Sequence, residues 1–362
     1  MLCRAEGRVI SIDIARRNAL EITVEIDGDK SRAIAYTNLI GEVHVGDILL
    51  LNTTAVVKRL GTGGFHFAIA NLSRQEIEDC SDSGHIVKCR YTPVQHSVLS
   101  IEEDESEYKN KINKFESLNG MPVVVGQLHS QIAPAAAAIK QLSRNRAKIV
   151  YIMTDTASLA YDFSRLAHQL RNHNLIDTSI TCGQAFGADY EAVNIYTALI
   201  AAKEALKCDC AIVCPGPGNV GTGTKYGFSS LDMGNIINAV NILGGQSIAI
   251  ARISFADLRL RHNGLSHHTI TALSDVALTK CTLALPMIDQ MKLVSIQEQI
   301  MHTSISHKHK VRIFDGKPGI MMLQSKNIEM KSMGRSYQED PEFFLAASAA
   351  GAGAVELLKG AI

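Results

Sequence analysis

Residues 210–231 read CAIVCPGPGNVGTGTKYGFSSL. The run Ala211-Ile212-Val213-Cys214 is apolar without alternation, the pattern of a strand buried on both faces. Five glycines follow, Gly216, Gly218, Gly221, Gly223 and Gly227, interleaved with Thr222, Thr224 and Lys225. A helical pattern begins near Ser229 or Ser230. Glycine tolerates positive φ and lets the backbone approach a ligand closely. Strand, glycine loop and helix start together offer bare N–H groups to an anion. The stretch predicts one βα unit of a parallel sheet, with an anion-binding loop at its carboxyl edge.

The loop matches neither familiar nucleotide fingerprint. Gly216 to Gly221 fits G-x-G-x-x-G, but a dinucleotide site needs the helix to open inside that motif and a carboxylate about 20 positions on. Here the loop runs to about Phe228, and residues 241–250 hold no carboxylate. Gly218 and Gly223 have phosphate-loop spacing, yet Thr224 stands in the lysine's place and Lys225 comes one residue late. No nicotinamide or nucleoside triphosphate cofactor is indicated, and the cofactor stays unknown. A glycine-rich connection with no ligand is the competing reading.

Outward from this stretch the same rhythm repeats. Strands are expected at 123–126, 148–154, 178–183, 209–215, 247–254 and 281–285, and helices at 133–142, 158–173, 190–206, 230–243 and 267–279. Apolar strands alternating with helices predict a Rossmann-like doubly wound parallel sheet. A strand at 311–315, an irregular or hairpin segment and a helix at 341–359 complete the chain. Residues 1–92 differ: short alternating runs at 7–14, 20–26, 32–36, 48–51, 65–71 and 86–91 are separated by turn signals such as Asp27-Gly28-Asp29, 61–64 and Ser83-Gly84. That spacing predicts a small antiparallel β-barrel. The fold class is α/β, with the barrel at 1–92, a charged connecting segment at 93–119 and the α/β domain at 120–362.

Composition excludes several classes. The 362 residues carry 36 Lys+Arg against 36 Asp+Glu, so no basic footprint of a nucleic-acid binder exists. Tryptophan is absent and aromatics are 5%, which speaks against base-stacking platforms. No secretion signal opens the chain, and no apolar stretch reaches the ~18 residues of a membrane span, 343–355 being the longest candidate. The expectation is a cytoplasmic protein with no membrane and no nucleic-acid partner. The 8 cysteines then read as reduced thiols. Cys208, Cys210 and Cys214 lack a second set at zinc spacing and read as buried, with no metal assigned.

Ligands of open parallel sheets sit at the carboxyl ends of the strands. That rule gathers His129 after the first strand, Asp155 after the second, the glycine loop after the fourth and Asp257 to His268 after the fifth. The last segment, DLRLRHNGLSHH, holds Arg259, Arg261, His262, His267 and His268 without any standard zinc spacing. Arginine grips carboxylate or phosphate at two points, and histidine serves as acid or base. Ser266 suits a helix N-cap, which would make one histidine structural. In the first domain His66, beside Gly61 to Gly64, either reaches toward a ligand or packs in the barrel wall.

Four segments, GPGNVGTGTKYGFSSLDMG, RHNGLSHHTITAL, LNTTAVVKRLGTGGFHFAIANL and MGRSYQEDPEFFLAASAAG, resemble the bacterial family of unknown function DUF3866 over nearly the whole chain. The resemblance implies a cytoplasmic bacterial protein and no particular activity. The residues themselves point to a hydrolase or transferase for a small anionic metabolite, a phosphorylated one among the candidates. Gly216, Gly218, Gly221, Thr222, Gly223, Thr224, Lys225, Arg259 and Arg261 would hold the anion, and His262, His268, Asp155 and His129 would line the reacting end. The alternatives are a non-catalytic metabolite sensor, or a homodimeric scaffold joined through the alanine-rich segments 133–138 and 346–354.

Overall fold

A computed structural model describes residues 1–61, 63–74 and 84–358, so Thr62 and Ser83 of the expected turns and Lys359 of the last helix lie outside the described residues. The chain divides into two compact units, Met1–Leu99 and Ser100–Ile362.

The first unit is a closed barrel of five strands: β1 Arg4–Arg16, β2 Ala19–Ile26, β3 Asp29–Tyr36, β4 Ile48–Asn52 and β5 His66–Asn71. The order is β1-β2-β3-β5-β4, with β4 paired back onto β1. Only β3 and β5 run parallel. Asp27 and Gly28 both have positive φ, the geometry a two-residue hairpin between right-twisted strands requires. Alternation sends Val9, Ile22, Val24, Ala33, Leu49 and Leu51 into the core. The sixth expected strand is not a barrel member. Ile86–Lys88 is three residues long and pairs instead with His96–Val98. His66 packs in the barrel wall, 4% exposed.

The second unit carries eight parallel strands: β6 Pro122–Val125, β7 Ile149–Thr154, β8 Thr178–Cys182, β9 Tyr190–Ala192, β10 Cys210–Pro215, β11 Gln246–Ile250, β12 Thr282–Pro286 and β13 Lys310–Phe314. Their order is β9-β8-β7-β10-β6-β11-β12-β13. The chain leaves β7 toward β8 and leaves β10 toward β11, in opposite directions across the sheet. Such a divergence opens a crevice at the carboxyl edge. Every residue of β7, β8 and β10 is buried, which explains the near-continuous apolar reading of β7 and β10, whereas β8, TSITC, buries hydroxyl side chains.

Helices α1 Ile132–Leu142, α2 Arg165–Asn172, α3 Ile195–Glu204 and α4 Met233–Ile242 follow β6, β7, β9 and β10. Residues 190–194 were expected in a helix; 190–192 instead form the edge strand β9, and 193–194 lead into the helix. The helix starts only after Asn194, whose side chain accepts from the N–H groups of Tyr196 and Thr197. The helix expected at 267–279 is α5, His267–Thr271, continued by a π-turn at Ala272–Val276. Helices α6 Gln290–Met301 and α7 Lys317–Ser325 were not anticipated.

The last helix, α8 Pro341–Leu358, packs on α1 so closely that a Cβ on Gly351 would strike the Ala135 carbonyl. The alanine-rich segments therefore bury each other inside one chain and offer no surface for a scaffold. By length and hydropathy α8 does qualify as a membrane span, contrary to the expectation. With 72% of it buried inside its unit, it reads as a core helix.

Candidate functional site

β10 and β11 are not neighbours, because β6 lies between them. The loops that follow them meet all the same, and Gln127, at the end of β6, ties them together. Its carbonyl accepts from Asn219 Nδ2, its Nε2 donates to Ser230 O at 3.3 Å, and its Oε1 accepts from Thr269 Oγ1 at 2.8 Å. Gln127 is fully buried, so each of these groups needs a protein partner.

The glycine loop folds back as a hairpin. Thr222 N donates to Gly227 O at 2.8 Å, and Ser229 N donates to Val220 O at 3.0 Å. Thr222 and Thr224 pair their hydroxyls at 3.0 Å, and Thr224 Oγ1 accepts from Gly227 N. Both threonines thus brace the loop. Among the described residues the N–H groups of Gly218, Gly221 and Gly223 donate to nothing. Gly216 answers a packing demand, since a Cβ there would lie 2.6 Å from Ser158 O. Lys225 is held by Asp275 at 2.7 Å, and Tyr226 Oη donates to the same carboxylate.

The histidine segment reaches this hairpin. The ring of Phe228, at the hairpin's end, stacks on His268 with centroids 3.8 Å apart and planes 5° apart. A methyl group on Gly223 would lie 3.7 Å from the Arg261 guanidinium carbon. Arg261 makes no hydrogen bond or ion pair among the described residues. Arg259 forms a two-point pair with Asp257, at 2.9 and 2.7 Å, so its guanidinium is taken. That pairing and Arg335 hold the Asp257 carboxyl far below the usual range.

Ser266 caps α5 by accepting from His268 N, as its sequence position suggested. The same hydroxyl meets His262 Nδ1 at 2.7 Å. Burial, with Arg252 and Arg259 behind it, lowers His262 to about 3. Burial and Arg252 lower His268 to about 2. Burial first, then the nearby arginines, also lower His267. All three rings are neutral at pH 7.

The decisive residue was missed in the sequence. Arg252, two residues past β11, is 5% exposed. Its Nη1 donates to His268 Nδ1 at 2.8 Å and its Nη2 to Met333 Sδ at 3.3 Å. No carboxylate pairs with it among the described residues. Burial brings its pKa down to about 10, so it stays charged. A guanidinium only donates. Nδ1 of His268 is therefore the acceptor and Nε2 carries the proton. That tautomer makes His268 a neutral hydrogen-bond donor, not a base. It also removes the lone pair a metal would need, although the ring nitrogens of His262, His267 and His268 lie within 4.8 Å of one another. The residues present fit an anion better than a cation. Nothing in the chain marks Arg252 out, since its neighbours Ala251 and Ile253 read as plain strand.

Two expected site residues stand apart from this cluster. His129 is half-buried, with Nε2 on Ser164 Oγ at 2.5 Å and Nδ1 on Tyr151 Oη at 3.3 Å. Burial lowers it to about 4. Asp155 accepts from Gln184 N at 2.8 Å. No hydrogen bond joins either one to the histidine segment. The thiols of Cys208, Cys210 and Cys214 are buried, and burial pushes Cys208 up to about 12 and raises the other two as well.

Fold and site together define a two-unit α/β protein with a cationic, donor-rich sheet edge. The family described as "Protein of unknown function (DUF3866)" matches residues 32–351, and the chain belongs to it. No curated protein matches the chain significantly.

Proposed function

We propose that the carboxyl edge of the parallel sheet binds the oxyanion of a small metabolite, and that the protein is a hydrolase or transferase acting on it. One observation carries this reading: Arg252 is a buried guanidinium that no carboxylate pairs with at ion-pair distance among the described residues, Asp257 acting on it only from further off. Placing a charge in the interior costs several kcal/mol unless it is paired. A ligand oxyanion would supply the missing charge. Arg252, Arg261 and the N–H groups of Gly221 and Gly223 would hold it, with His268 Nε2–H donating alongside. Phosphate suits a set of donors this numerous better than carboxylate does. His262 is the proton carrier of this reading. Its low pKa comes partly from the arginine field, which a bound dianion would cancel, moving the ring toward the range useful for acid–base work.

Titration calorimetry with inorganic phosphate and pyrophosphate tests the binding. The wild-type chain should bind at least one of them, and Arg252→Met should bind at least about tenfold more weakly, the loss of one charge-assisted contact. Equal affinity in both proteins would reject the site. Turnover of phosphomonoester substrates, lost in His262→Gln while binding persists, separates an enzyme from a non-catalytic sensor.

A further inference from the structure

We propose that the barrel unit carries an anion site of its own, which takes a phosphate group. A cavity of about 360 Å³ opens on the barrel, lined by Thr23, Lys30, Ser31, Arg32, Gly64 and His66, together with Val56. That volume falls in the usual range for small-molecule sites. Thr23 belongs to β2, Lys30 to Arg32 to β3, and His66 opens β5. Gly64 lies in the loop between β4 and β5.

The lining is rich in donors and has no carboxylate. Lys30 forms no ion pair among the described residues, and Glu25, opposite it in the ladder, stays beyond ion-pair distance. Arg32 is pre-set: its guanidinium lies 4.5 Å over the Phe65 ring, and Nη2 donates to Gly63 O at 3.0 Å. Its remaining N–H groups are uncommitted. His66, 4% exposed, leaves its Nδ1 without any hydrogen-bond partner. A buried polar nitrogen left unpaired costs stability and calls for an explanation. Nδ1 itself has almost no accessible surface, so a ligand oxygen would pair with it only after a small turn of the ring toward the cavity.

Lys30, Ser31, Arg32 and His66 can donate here, the Thr23 hydroxyl being given to Asp13 Oδ2 at 2.8 Å, and two cationic groups on one strand suit the charge of a phosphate. Location agrees. In a five-stranded barrel of this strand order, the face of strands 2 and 3 and the loop between strands 4 and 5 form the usual ligand surface for oligonucleotides and oligosaccharides. The cationic lining favours the phosphate-bearing ligand over a neutral sugar. The phosphate could belong to a free small molecule or to a single strand of nucleic acid.

The test uses the full chain and two probes, inorganic pyrophosphate by calorimetry and a labelled oligodeoxythymidine by fluorescence anisotropy. Arg32→Met and Lys30→Met are compared with wild type, and Arg252→Met marks the other site. The proposal expects a binding event, separate from the one weakened in Arg252→Met, whose affinity falls about tenfold in Arg32→Met and which persists in Arg252→Met with at least one probe. Pyrophosphate alone identifies a small-molecule source, and oligonucleotide binding with a steep salt dependence identifies a nucleic-acid source. Binding of neither probe, binding unchanged in Arg32→Met and Lys30→Met, or binding lost only in Arg252→Met overturns the proposal. His66→Phe provides a second readout. It removes the unpaired nitrogen, so unliganded stability should hold or rise while affinity falls, and an unchanged affinity counts against the site.

Discussion

A single arginine organises the candidate site, and its cost can be measured. Arg252 keeps a charge 95% buried against a neutral imidazole and a thioether. Replacing such a charge by an apolar side chain of similar volume is often neutral or stabilising by roughly 1–4 kcal/mol. Arg252→Met should therefore leave the melting temperature of the unliganded protein unchanged or higher while weakening anion binding. A sharp fall in melting temperature would mean that Arg252 is a structural strut. The histidines set a second expectation. His129 falls from an ordinary 6.5 to about 4 on folding, by burial. Below pH 6.5 the unfolded chain takes up a proton that the native ring refuses. Stability from this residue is thus complete above about pH 6.5 and is lost as pH falls toward 4, by about 3 kcal/mol. His129→Gln should flatten the stability profile between pH 4 and 6.5, as read by urea denaturation. An unchanged slope would contradict it.

At the scale of elements, local chemistry was readable wherever one pattern ruled. The apolar runs announced β7 and β10, the Asp27-Gly28 turn announced the β2–β3 hairpin, and Ser266 announced the start of α5. Misreadings arose where two patterns overlap. Tyr190 and Ala192 also fit the apolar face of the helix that follows, and only the Asn194 cap separates strand from helix. Helix α6 buries just Leu293, Ile296 and Ile300, a stripe too thin to stand out. The site was legible in part. Glycines and histidines mark themselves, but Arg252 sits among apolar neighbours and gains meaning only once α5 folds back over it. A small residue marks a tight contact between α4 and the π-turn. A Cβ on Gly234 of α4 would meet Val276 Cβ at 2.7 Å. Gly234→Val should cost at least about 1–3 kcal/mol by overpacking, measured by chemical denaturation. A neutral outcome would show that the π-turn at Ala272–Val276 yields readily.

The whole molecule joins two units of unequal strength. The barrel's buried apolar core is one small cluster built around Ile22, Val24, Leu49 and Leu51, whereas the sheet of the second unit is packed on both faces by two large clusters. Small cores leave little margin over conformational entropy. Hydrogen exchange should show barrel amides opening at lower free energy than those of β7 and β10, and equal protection would contradict this. The central claim concerns the sheet edge, and one measurement meets it directly: a high-resolution crystal structure of the full chain grown in phosphate. The account predicts a tetrahedral anion within hydrogen-bond distance of Arg252 or Arg261, with Gly221 or Gly223 N–H and His268 Nε2 pointing at it. A water-filled edge, or a protein carboxylate seated on Arg252, would contradict it.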